Sequence, residues 1–141
     1  MPIQFLDMRI SSNSADDANS FLIPAAPGIL FGDIGIQTLG VLPENAGDIR
    51  VLLSGYARVS NLISEEVVTI RVFRDLATPI LVTSFVSNGE GVETFGFDAA
   101  DFLPAAPASG QVQYTATIET TIPFAILGAS NFSGIASAGT S

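Results

Sequence analysis

The stretch from Asp48 to Arg74, DIRVLLSGYARVS followed after a short break at residues 61–64 by EEVVTIRVFR, constrains this chain most. Ile49, Val51, Leu53, Ala57 and Val59 fall on one side of an extended backbone, and Val68, Ile70 and Val72 do so in the second half. Alternation with a period of two predicts half-buried strands, because a helix would need its apolar residues three and four apart. The other side carries Arg50, Tyr56 and Arg58 on the first strand and Thr69, Arg71 and Phe73 on the second. One face must be covered by the rest of the chain, and the arginine and aromatic face is left to contact something else.

Two placements of this pair are open. As neighbours in one sheet, the strands would set Tyr56 opposite or diagonal to Arg71, and the outward arginines would cluster. In opposite sheets they would face each other across a core, with the same residues inward. Guanidinium forks pair with carboxylates and stack on aromatic rings, so Arg50, Tyr56, Arg58, Arg71 and Phe73 are read as candidate contacts between subunits, against the alternative of solvated strand faces.

Ahead of this core, residues 3–10, IQFLDMRI, form a short apolar segment, and the polar run SSNSADDANS follows. The expectation is a connector arm and linker over residues 1–20, with Ile3, Phe5, Leu6, Met8 and Ile10 as apolar anchors and Arg9 beside them, leaving a body over residues 21–141. The alternative is a first strand folded onto its own domain. FLIPAAPG at 21–28 and FLPAAPASG at 102–110 read as proline-rich corners, or alternatively as a matched pair of docking elements. NGEG at 88–91 predicts a hairpin between 80–86 and 92–98. Residues 111–119 alternate cleanly, and the last run, FAILGASNFSGIASA, reads as a strand broken near Gly128. No window shows helical spacing with caps. Seven or eight strands with Pro and Gly at the corners predict an all-β fold, a single-domain jelly-roll β-sandwich with an N-terminal extension.

Composition narrows the chemistry. The 141 residues include no Cys, His, Trp or Lys, so imidazole bases, thiol nucleophiles, Schiff-base amines and disulfides are excluded. A net charge of −9 disfavours nucleic acid and anionic lipid as partners. Only 13% of residues are charged while 48% are hydrophobic, against roughly 25% charged in an ordinary soluble domain. A surface so poor in charge carries sticky patches, and burial against copies of itself resolves them. The first ten residues lack the layout of a secretory signal, so the chain is expected to begin near Met1.

The runs ILGASNFSGIASA, QYTATIETT and VTIRVFRD, spread over residues 28–141, resemble the small jelly-roll proteins of Bacillales spore surfaces: exosporium proteins, subunits of endospore appendage fibres and, more distantly, the TNF-like heads of collagen-tailed exosporium glycoproteins. The resemblance implies an extracellular structural subunit that polymerises, an N-terminal connector docking into the next copy, and deposition on the spore from the mother cell. A spore-surface anchor protein is a further implied partner. The absence of Cys and Lys excludes disulfide and Lys–Asn isopeptide cross-links between copies. The alternative is a trimeric TNF-like head that binds carbohydrate or a receptor.

Other constellations are weaker. Asp16 and Asp17, with Asn13 and Asn19, offer oxygen ligands but lack the spacing of a calcium loop. Glu65 with Glu66, or Asp98 with Asp101, pair on paper as acid and base of a hydrolase. Asn131-Phe132-Ser133 fits a glycosylation sequon. The expectation is a protein with no catalytic residues, no metal and no cofactor.

Overall fold

The computed structural model describes residues 3–14 and 21–140. Their regular elements, in chain order, are β1 (Gln4–Ser14), β2 (Phe21–Leu22), β3 (Ile29–Gln37), a single 3-10 turn at Pro43–Asn45, β4 (Ile49–Leu62), β5 (Val67–Arg74), β6 (Thr78–Val86), β7 (Gly91–Leu103), β8 (Gln111–Thr120) and β9 (Ile126–Ala138). Every paired neighbour is antiparallel. The first sheet runs β1-β9-β4-β7, with β2 also on β9, and the second runs β3-β8-β5-β6. Successive long strands alternate between the sheets except at the β5–β6 hairpin, which makes the molecule an all-β jelly-roll sandwich.

β4 and β5 therefore lie in opposite sheets, and their alternating apolar residues meet across the core. Ile49, Val51, Leu53, Ala57 and Val59 face Val68, Ile70 and Val72, and all are buried. Tyr56 is thus not beside Arg71, and the arginines divide between two outer faces. Phe31, Phe97 and Phe132 fill one end of the core, with Phe31 edge-on to Phe97 at 6.0 Å and Phe97 stacked on Phe132 at 6.1 Å. Gly32 has no space for a Cβ because the Phe132 ring already occupies it.

Residues 80–86 and 92–98 do not form a hairpin. β6 pairs with β5 and β7 with β4, so the 87–90 loop hands the chain from one sheet to the other. The hairpin is β5–β6, whose turn puts Asp75 and Leu76 at φ 52° and 68°, with the Ala77 N–H donating to the Arg74 carbonyl. Both proline-rich segments are crossings from the first sheet to the second, each ending in a glycine of positive φ, Gly28 and Gly110. The irregularity near Gly128 is a bulge inside a continuous β9, where Ala57 pairs with Ser130 and Val59 with Leu127.

Gln4–Ser14, read from the sequence as an arm and the start of a linker, is an edge strand on β9 of the same chain, with Gln4 opposite Ala138 and Ser14 opposite Ser130. β1 and β2 together form one interrupted edge, since both pair with β9 on the same side. The physical reason is twofold. Without β1, most of β9 would expose an unpaired row of N–H and C=O groups. The polar side chains of β1 also reach the second sheet: the Asp7 carboxylate accepts from the Gln37 N–H at 2.8 Å, the Ser11 hydroxyl from the Asp33 N–H at 3.2 Å, and the Gln4 amide from the Leu42 N–H at 3.1 Å. The first two of these bonds satisfy the edge of β3 and the third the loop that follows it. Asp16, Asp17 and Asn19 lie outside the described residues.

At the far side the sheets are tied by a partly buried cluster. Asp101 of β7 accepts from Arg74 Nη1 at 2.8 and 2.9 Å and from the Tyr114 hydroxyl at 2.8 Å. Burial first, and then the hydrogen bond to Asp101, hold the Tyr114 hydroxyl well above its ordinary pKa.

Candidate functional interface

Because β1, β9, β4 and β7 pair in one antiparallel ladder, residues directly opposite one another share a face. The register sets Met8, Ile135, Leu52 and Ala100 in one row across all four strands, on the side away from the core. Met8, Ile135 and Leu52 are 54%, 46% and 64% exposed. The row on one side of it is Phe5, Ser137, Arg50 and Phe102, and the row on the other is Ile10, Ser133, Ser54 and Asp98. Phe5, Ile10 and Phe102 are exposed as well. A contiguous apolar band crossing a whole sheet is uncommon on a soluble monomer, which makes this face the candidate contact surface.

Two shallow hollows flank Leu52. One, of about 380 Å³, is lined by Leu52, Ser54, Asp98, Ser133 and Ile135, and the other, of about 270 Å³, by Arg50, Leu52, Ala100 and Phe102. The Ser54 and Ser133 hydroxyls are hydrogen-bonded to each other at 3.2 Å. The Asp98 carboxylate has no hydrogen-bond or ion-pair partner among the described residues. Arg50 Nε reaches Asp48 at 3.1 Å, an exposed pair that holds the guanidinium weakly.

The candidate residues read from the sequence distribute as follows. Phe5, Met8, Ile10, Arg50, Tyr56 and Arg58 share this outer face, Tyr56 half-buried in the row of Ser12 and Asn131. Ile3 is exposed just ahead of β1. Leu6 is not an exposed anchor: a bulge between Phe5 and Asp7 turns it inward, where it packs against the core. Arg9 lies at the seam between the sheets, its Nε 2.8 Å from Asp7. Arg71 and Phe73 sit on the opposite face of the molecule, Arg71 donating from Nε to Glu119. Leu52, Ile135, Phe102 and Asp98 lie on the same face and were not among the candidates read from the sequence. Leu52 could have been found, since it stands at an outward position of DIRVLLSG, between Arg50 and Ser54. Ile135 is hidden among the small residues of β9.

The paired carboxylates do not converge. Asp98 and Asp101 are three residues apart on one strand and so point to opposite faces of β7, and Glu66 accepts from Ser64 in its own turn and from Thr121 just after β8. Among the described residues no cluster of three or more metal-ligating side chains is present.

No protein-family model matches the chain, and no curated protein matches it in sequence. Among solved structures it is similar to dimeric latent PorU from Porphyromonas gingivalis, with a TM-score of 0.53 at 10% identity, covering 96% of this chain and 13% of that one. It is also similar to a structure of infectious bursal disease virus, Gx strain, with a TM-score of 0.51 at 10% identity, covering 94% of this chain and 36% of that one. A native family 35 carbohydrate-binding module from Clostridium thermocellum is more distant, with a TM-score of 0.38 at 12% identity, covering 82% of this chain and 98% of that one. The chain spans well under half the length of the first two. At such identities the likeness is one of fold, and the fold is a jelly-roll β-sandwich.

Proposed function

We propose that this protein is a non-enzymatic structural subunit that assembles with copies of itself, in a fibre or layer at a spore surface as its resemblance implies. The observation that supports this reading is the exposed row Met8, Ile135, Leu52 and Ala100 with its apolar flanks, on a body in which only 13% of residues are charged. The N-terminal strand is the connector in this proposal: the ladder that β9 forms with its own β1 in the single chain is offered instead to the β1 of a neighbour.

Sedimentation velocity over a concentration series tests the assembly. The natural chain is expected to associate, and Leu52→Glu to lose the association made through this face, leaving only that of the N-terminal strand, while melting at an unchanged temperature. A natural chain that stays monomeric at high concentration overturns the reading. Deleting residues 2–12 tests the connector, and fibres of normal length in negative stain would remove it from the proposal.

A second reading, a trimeric head that binds carbohydrate or a receptor, is favoured by a groove of about 460 Å³ on the outer face of the second sheet, lined by Leu30, Arg71, Phe73, Leu76, Thr117 and Glu119 among others. A closed trimer, unchanged by dilution or by loss of the N-terminal strand, would select it.

A further inference from the structure

We infer that the outer face of the first sheet pairs with the same face of a second copy about a two-fold axis that lies between the faces, crosses the strands and passes at the level of Leu52. The inference rests on the self-assembly proposed above and specifies its geometry.

The argument is one of charge placed by register. Arg50 stands two residues to one side of Leu52 on β4. The hollow walled by Asp98, with Ser54 at its centre, stands two residues to the other side. A rotation that reverses the strands and leaves each strand over its own copy carries Arg50 onto that hollow. Leu52 and Ile135 give the hollow apolar walls for a methylene stem, while the Asp98 carboxylate, without a partner among the described residues, and the Ser133 hydroxyl supply acceptors for a guanidinium. The contact occurs twice, because the axis makes it reciprocal. The same rotation sets Leu52 on the partner's Leu52 and Phe5 over the partner's Ile10, apolar on apolar, and Phe102 over the partner's Asp98, beside the arriving guanidinium. Aligned sheets pack about 10 Å apart with strands within about 30° of each other, a gap that an arginine side chain spans.

The other in-plane axis, along the strands, is disfavoured. It would lay the row of Arg50 on the same row of the partner, bringing like charges together and leaving both Asp98 carboxylates without a cation. Since a two-fold contact closes on itself, this face yields dimers, and growth into a fibre needs a different surface, which the N-terminal strand supplies.

Charge exchange tests the arrangement by analytical ultracentrifugation of the full chain. Arg50→Asp and Asp98→Arg are each expected to weaken the dimer by about tenfold or more, and the doubly exchanged chain to recover most of the loss. Both positions are exposed, and circular dichroism melts confirm folding. An independent measurement uses the absence of Cys: with Leu52→Cys as the sole thiol, a short bismaleimide joins two copies quantitatively. Thr94→Cys, roughly 40 Å from its symmetry mate in this geometry, does not cross-link. If the natural chain associates but the double exchange fails to recover, or Leu52→Cys is not joined, the two-fold arrangement is overturned and self-assembly stands. If the natural chain never associates, the proposed function itself falls.

Discussion

Leu76 occupies a left-handed backbone position at φ 68° and is 66% exposed, so neither packing nor conformation rewards a branched side chain there. Turns with positive φ at both central residues favour glycine at the second position, and Leu76→Gly is expected to raise stability by about 0.5–1 kcal/mol in urea unfolding, the relief of steric cost exceeding the added chain entropy. Tyr114 supports a second prediction. Its folded pKa is raised above the ordinary 10.0, so above about pH 10 the unfolded chain releases a proton that the folded chain retains. Stability is therefore full below pH 10 and falls above it, by about 1.4 kcal/mol per pH unit while the native hydroxyl stays protonated. Denaturant titrations from neutral to alkaline pH should show this slope, and Tyr114→Phe should flatten it. Neither residue could be read this way from the sequence. A turn at 75–78 was visible, but Asp-Leu lacks the Asn-Gly signature of its type, and the Tyr114 hydroxyl depends on Asp101, thirteen positions away and in the other sheet.

At the scale of elements, alternation located the strands because burial on one face writes itself directly into the residue order. Pairing did not follow so easily. NGEG has the chemistry of a tight hairpin, yet the flanking strands belong to different sheets, since a flexible loop serves a crossing as well as a reversal. β1 was legible only as the alternative to an arm, for a related reason: its inward residues, Asp7, Arg9 and Ser11, are polar because they serve the seam with β3 instead of the core. That seam has an acid limit. Burial raises the Asp7 pKa, but the hydrogen bond from Arg9 and those from the Gln37 and Met8 N–H groups outweigh it, and the net shift is downward from 3.8. The stabilisation is present above the unfolded value and is lost as pH falls through the lower folded value. Limited pepsin digestion at about pH 2 is expected to cut first within residues 3–14, and Asp7→Asn should loosen the same strand at neutral pH, seen as faster amide exchange in β1.

At the scale of the molecule, each copy carries nine net negative charges, so association works against long-range repulsion. If the apolar band dominates, raising salt from about 0.1 M to about 1 M, which shortens the Debye length from about 10 to about 3 Å, should tighten assembly. Loosening would mean that ion pairs, and not the apolar row, hold the copies together. The low charge of the chain is what makes association the expectation. The face proposed to associate was legible only in part, because a face is a property of four strands in register and the sequence presents them one at a time.

With Gln4 standing opposite Ala138 on adjacent strands, the two ends of the described chain leave by the same pole of the sandwich. A tag or cargo fused to either end would project from one spot, and a short bridge could join start to finish and free the 87–90 loop to become the new opening.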